Sequence, residues 1–233
     1  MMNPTVLFAA LSLTSPLTPE QPTPIKSSAE RTCAVSGVLT VTDKSGRPAR
    51  PDYAEVYVDS ALSLKQRKQL RRMEQKGLAF VPRVLVVEKG DVVVFVNTES
   101  STVTHEIHAD KQTNTFVSGE NSNPETFQKT FEHVGETHLG CNKHAFMSGT
   151  ILTVPNSLHV QVEANGKWTI ANVPARPLKL VVWQQTATQP SKKEVNVSAC
   201  DTAVKVTLEA PIAHVTKEND KPDDAWESYV AAD

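Results

Sequence analysis

The sequence predicts a mainly β protein with one short helix, built as one β-sandwich or barrel plus a second small β-sandwich. Three observations carry that expectation. Val84–Val87 and Val92–Val96 are short Val-rich runs separated by a Gly90-Asp91 turn, and β-branched runs bounded by turn residues mark strands. Val35–Thr42 leads into the turn sequence Lys44-Ser45-Gly46-Arg47-Pro48 and a further run at Glu55–Asp59. Around Asn165-Gly166, polar and apolar residues alternate ahead of the apolar run Leu178–Trp183, the pattern of a tight turn feeding a long strand.

The expected helix lies over Leu62–Gln75. Ser63 and Gln66 have the spacing of a capping box, Leu70 and Met73 share a helical face, and Gly77 supplies a stop. Such a helix would gather Lys65, Arg67, Lys68, Arg71, Arg72 and Lys76 against a single acid, Glu74. That charge is either a solvated face or a docking patch for an acidic redox partner, where it would raise the association rate more than the affinity.

With 39% hydrophobic and 21% charged residues in 233, the chain has the composition of one or two globular domains. A net charge of −2 gives no basic footprint, so nucleic acid is not an expected partner. No run of about 18 apolar residues is available for a transmembrane segment. Val6–Leu13 is an apolar run of signal-peptide size without the usual positive charge before it, since the first Lys or Arg is Lys26. Four prolines follow within residues 16–30, so residues 1–30 are expected to be a signal peptide and a Pro-rich linker. Residues 210–233, with the charge cluster Lys217–Asp224, are expected to be a polar tail.

The chemistry concentrates in Cys141-Asn142-Lys143-His144-Ala145-Phe146-Met147, with Thr104-His105-Glu106-Ile107-His108 upstream. A thiolate, two imidazoles and a thioether suit copper: soft sulfur favours Cu(I), imidazole tolerates Cu(II), and a His₂Cys plane with a weak axial Met holds a one-electron site. Phe131–His138 before the loop and Gly149–Val154 after it place the ligands on a turn between two strands. Residues three apart on a strand point to opposite faces, so His105 and His108 cannot both bind one ion. His133 and His138 have no Cys or carboxylate at metal spacing and are expected at the surface or behind the ligands.

At these residues the chain resembles the cupredoxins, most closely amicyanin-like and methylamine-utilisation-type copper proteins. Phe80-Val81-Pro82, the strand Val84–Glu88, the Gly90-Asp91 turn and the strand ending at Asn97 look like the same family's framework. The resemblance covers about residues 73 to 155 and implies a Greek-key sandwich holding one copper per chain, cycling between Cu(I) and Cu(II). It places the ligands on His105, Cys141, His144 and Met147, and makes Asn97 a candidate for fastening the ligand loops. Two positions depart from the family. Ala145 stands where Pro is common, which should loosen the loop, and Glu106 stands where Asn is common, which adds negative charge beside the metal.

The later part of the chain resembles a second family. Glu163–Ile170 with Leu178–Trp183 looks like the second half of a carboxypeptidase-regulatory-like (transthyretin-like) β-sandwich, and Ser36–Asp43 with Gly46-Arg47-Pro48 looks like its opening hairpin. The expected organisation is therefore a copper domain at 60–155 inserted between 33–59 and 156–209. A plainer arrangement stays open, with Glu55–Asp59 as the first strand of the copper barrel and residues 156–209 as an appended small sheet. If Cys141 is the copper thiolate, Cys33 and Cys200 are the natural disulfide pair, which implies an oxidising compartment.

The resulting expectation is a periplasmic or secreted electron carrier that meets a redox partner protein through His144 and an apolar patch at Ala145, Phe146 and Met147. It is not an enzyme on this reading, because four protein ligands leave no open position for substrate. Copper storage or delivery, or an adhesion module with an auxiliary copper site, are the alternatives.

Overall fold

In the computed structural model the described residues are 31–43, 45–49, 53–60, 68–109, 113–185 and 192–209. They form seventeen strands and no helix. The described residues start with β1 (Thr32–Thr42), β2 (Pro48–Ala49) and β3 (Ala54–Val58). Then come β4 (Leu70–Lys76), β5 (Ala79–Val81), β6 (Val84–Glu88), β7 (Val92–Asn97), β8 (Thr104–Ala109), β9 (Phe116–Ser122), β10 (Thr126–Thr130), β11 (Gly135–Cys141) and β12 (Ser148–Val154). The last are β13 (His159–Gln161), β14 (Lys167–Pro174), β15 (Leu178–Gln184), β16 (Lys192–Val197) and β17 (Val204–Glu209).

These strands make four sheets. The first has the order β14-β1-β17 with β2 beside β1, and the second β13-β3-β15-β16. The third is β6-β12-β11-β8-β9 and the fourth β10-β7-β4-β5. Val35, Leu39, Trp168 and Val206 of the first sheet pack on Val56, Leu180 and Val182 of the second. A separate core joins Ile107, Leu139 and Ile151 of the third sheet to Met73 and Phe95 of the fourth. Between the two pairs, Tyr57, Val181 and Trp183 of the second sheet meet Leu152 and Val154 of the third.

This stacking explains the uneven sequence pattern. β3 is buried at every position, and β15 at all but one, because each faces one core on one side and the other pair of sheets on the other. Such strands carry near-continuous apolar runs instead of alternation: Ala54–Val58 is broken only by Glu55, which is buried against His159 at 2.6 Å, and Leu178–Trp183 only by Lys179. β14 has one face in water and alternates, with Trp168 and Ile170 inside and Thr169 outside.

Asn156, fully buried, ties the two crossings between the sheet pairs together. Its Nδ2 donates to the carbonyls of Val58 (3.1 Å) and Ser60 (2.9 Å), and its Oδ1 accepts from Leu158 N (2.9 Å). At the other end of the first pair, a Cys33–Cys200 disulfide with Cα atoms 5.6 Å apart joins β1 to the turn ahead of β17. β1 passes so close to its neighbours that a Cβ at Gly37 would collide with Val204 O and the Trp168 ring.

The expected helix over Leu62–Gln75 is not formed in its described part. Residues 61–67 lie outside the described residues. Leu70–Lys76 is strand β4, in parallel register with β7, with Met73 opposite Phe95. Met73 and Gln75 are buried while Leu70 is 73% exposed, a period of two that the i,i+3 pair Leu70 and Met73 hides. Partner strands close the choice against the local helical preference. Gly77 is not a helix stop. With φ of 61° at Gly77 and 57° at Leu78, it opens the two-residue turn between β4 and β5, the geometry in which both central residues need positive φ.

The basic face expected on that helix does not assemble on β4 either. Arg71 is 3.3 Å from the buried carboxylate of Asp91, Arg72 is 2.9 Å from Glu74, and Lys68 is 3.9 Å from Glu132. Alternation sends Arg71 and Arg72 to opposite faces of the strand. The Asn165-Gly166 turn also does something other than join two paired strands, since β13 belongs to the second sheet and β14 to the first. Gly166, at φ 82°, carries the chain across and accepts from Leu39 N through its carbonyl at 2.8 Å.

Candidate metal centre

β8 and β11 are adjacent and antiparallel, with Cys141 opposite Ile107 and Gly140 opposite His108. Alternation then sends His105, Ile107 and Cys141 into the core and Glu106 and His108 to the other face. His105 is 0% exposed and Cys141 3%. The loop after Cys141 turns back through a bond from Met147 N to His144 O (3.0 Å) and re-enters the sheet as β12. It is clamped at its start by Glu106, whose backbone carbonyl accepts from Asn142 N (2.9 Å) and whose carboxylate accepts from Asn142 Nδ2 (2.8 Å). The carboxylate that the sequence places beside the metal thus holds the loop.

Three ligand-type atoms converge. His105 Nδ1 and His144 Nδ1 are 3.2 Å apart, and Cys141 Sγ is 3.6 Å from the first and 3.9 Å from the second. A trigonal ion with bonds of about 2.0–2.3 Å separates its ligand atoms by roughly 3.5–3.8 Å, so the triangle fits one ion at its centre. Among the described residues this is the only group of three or more His, Cys, Asp or Glu side chains close enough to share one ion. Met147 is buried in the same core cluster as Cys141. A donor set of thiolate, two imidazoles and a nearby thioether has the softness copper takes.

The surroundings of the triangle are asymmetric. His105 is held below the ordinary histidine pKa, first by burial and then by His144, with Glu99 acting in the opposite direction. Glu99 Oε1 is 3.8 Å from His105 Nε2, beyond hydrogen-bond length, and accepts from Leu78 N at 2.6 Å. His144 is half-buried at the loop tip, its ring 6.0 Å from that of Phe146, which is 70% exposed. Ala145 and Phe146 face solvent, whereas Met147 turns inward, so the expected three-residue patch reduces to two. Beside it, Lys143 pairs with Glu120, which raises the lysine pKa and lowers that of the acid.

The other residues singled out in the sequence lie apart from this triangle. The His108 ring stacks over Gly140 on the opposite face of the sheet, where a Cβ at Gly140 would come within 2.6 Å of it. His133 is exposed, and His138 faces Glu136 at 3.4 Å. Asn97, 1% exposed, fastens Val103 O (3.0 Å) and Asn121 O (3.2 Å) and accepts from Glu99 N (3.0 Å). It organises the segment leading into His105, and none of these bonds reaches the Cys141 loop. Sequence reasoning missed Glu99 and Asn121. Asn121 is opposite His105 in the β8–β9 register, and no local pattern marks a partner on another strand.

No protein-family model matches the chain, and no curated protein sequence matches it. Solved structures similar to it include a Cu-containing nitrite reductase from Thermus scotoductus SA-01, 25% identical over 42% of this chain and 25% of that one, with a TM-score of 0.37. A purple cupredoxin from Nitrosopumilus maritimus is 19% identical over 36% of this chain and 99% of that one, with a TM-score of 0.32. Amicyanin in a reduced Cu(I) form is 17% identical over 42% of this chain and 98% of that one, with a TM-score of 0.34. The chain spans about a quarter of the nitrite reductase it matches.

Proposed function

We propose that this chain is a mononuclear copper protein that carries single electrons, in which His105, Cys141, His144 and Met147 would hold the ion. The observation that carries the reading is the triangle of Nδ1, Nδ1 and Sγ atoms with edges of 3.2, 3.6 and 3.9 Å. A copper ion held there supplies a Cu(I)/Cu(II) couple. The residues supply the rest. His105 and Cys141 are buried away from water, and the paired strands β8 and β11 fix their positions. His144 presents its imidazole at the surface beside Ala145 and Phe146, so a redox partner resting on that patch comes within one side chain of the site. Such encounters bury little area. Four protein donors leave no position for a substrate, which favours a carrier over an enzyme.

The sheet membership of the strands supports the inserted organisation, with a copper domain at 60–155 between 33–59 and 156–209 of a second β-sandwich. The Cys33–Cys200 disulfide supports an oxidising compartment, periplasmic or extracellular. No helix of the described residues is long and apolar enough to cross a membrane. The direct test is a Cu(II) titration of the purified chain followed by visible absorption. One equivalent should saturate an intense thiolate-to-copper band, and Cys141→Ser should abolish it. Retention of the band by that variant would overturn the ligand set.

A further inference from the structure

The third sheet has a second face. Residues Leu139, Cys141 and Ile151 point into the core, so their neighbours Glu136, His138, Ser148 and Thr150, with His138 opposite Thr150, point the other way. Part of this outer face is covered where Leu152 and Val154 meet Trp183. Beside that contact, a cleft of about 300 Å³ opens between Arg83, His138, Ser148, Thr150 and Gln185. Gln185 follows β15, so the cleft has walls from both pairs of sheets.

Its chemistry is one-sided. Among the described residues no carboxylate lines it, and the nearest acid on this face, Glu136, stands behind His138. Arg47, Arg71 and Arg72 each hold an acid, whereas Arg83 makes no ion pair among the described residues. His138 is already engaged, with Nε2 3.4 Å from Glu136 Oε2 and Nδ1 3.4 Å from Thr150 Oγ1. Arg83 is therefore the cation of the cleft that holds no acid among the described residues, and it can balance one negative charge. A guanidinium offers paired N–H groups to the two oxygens of a carboxylate, and the Ser148 hydroxyl and Gln185 amide add donors on either side. The volume is that of a small-molecule site at the lower end of the usual range.

We propose that this cleft binds the carboxylate of a small organic acid. The site is separate from the metal centre in chemistry and does not depend on the copper reading. It lies on the outer face of the same hairpin, since Ser148 follows Met147 and His138 precedes Cys141 by three residues.

The test is titration of the ¹⁵N-labelled full chain with sodium acetate and, separately, with inorganic phosphate at constant ionic strength, read by amide chemical shifts. Acetate should give saturable shifts confined to Arg83, His138, Ser148, Thr150 and Gln185, with phosphate weaker. Arg83→Gln, a change at an exposed side chain, should weaken acetate binding by about tenfold or more, the usual loss for a charge-assisted bond. Lys205→Gln, on the exposed face of the first sheet, should leave it unchanged. Non-saturating shifts, equal acetate affinity in the Arg83→Gln protein, or tighter binding of phosphate would each overturn the proposal.

Discussion

The indole Nε1–H of Trp183 donates to Glu136 Oε1 at 2.6 Å. This bond ties β15 of one sheet pair to β11 of the other, the strand that ends in Cys141. Trp183 is 1% exposed and also packs edge-on against Tyr53, with ring centroids 6.1 Å apart. Trp183→Phe keeps most of the apolar contact and removes the donor. It should lower unfolding stability by about 1–3 kcal/mol, the range for losing one hydrogen bond to a charged, largely buried acceptor. Urea denaturation measures it, and a variant as stable as the parent would mean the bond contributes nothing in solution.

The disulfide closes a loop of 167 residues between Cys33 and Cys200. In the loop-entropy description, a closure of that length stabilises by roughly 5 kcal/mol, an upper figure because strain subtracts from it. The Cys33→Ser, Cys200→Ser double variant should therefore unfold at markedly lower urea. In the parent, thiol titration of the denatured, unreduced and metal-free chain should find Cys141 alone. Three reactive thiols would show that the bridge does not form.

How much of this was legible in the sequence depended on how far the deciding partner lies along the chain. Cys141 and His144 sit three residues apart on one loop, so their proximity follows from spacing alone. The β8 position of His105 followed from strand alternation together with the family likeness. Leu70–Lys76 was misread because its partner on β7 lies about twenty residues away, and Leu70 with Met73 satisfies helical spacing as well as it satisfies a strand. The Trp183–Glu136 bond and the Arg83 cleft join residues from different sheet pairs, for which periodicity carries no signal. The apolar run Leu180–Trp183 announced burial on both faces without saying what covers each face.

Asp43 anchors the turn between β1 and β2. Its Oδ1 accepts from Ser45 N (2.8 Å), Ser45 Oγ (2.6 Å) and Arg47 N (2.9 Å). These bonds, with the Arg47 guanidinium on Oδ2, hold its pKa well below the ordinary carboxylate value. A carboxyl depressed in the fold takes up protons more readily when unfolded. Its stabilisation is thus complete above the ordinary carboxylate pKa and is lost as pH falls below about 4 toward the folded value. Asp43→Asn should lower stability at pH 7 and flatten the acid limb of the stability curve. An acid limb of the same slope in both proteins would show that other carboxylates account for it.

Met147 is 3% exposed and packed in the core cluster that contains Cys141, which leaves two roles to separate: axial donor or simple filler. Leu has nearly the same volume, so Met147→Leu should cost less than about 1.5 kcal/mol of stability and keep the loop in place. A thioether donor stabilises Cu(II) relative to Cu(I), and the axial ligand is one of the groups that tune such a site's potential. If Met147 coordinates, the leucine variant should still bind one equivalent of copper through His105, Cys141 and His144, keep its intense thiolate band, and show a higher reduction potential by voltammetry. Together with an unaltered denaturation midpoint, an unchanged potential would assign Met147 to packing alone and leave the three-coordinate plane as the whole site.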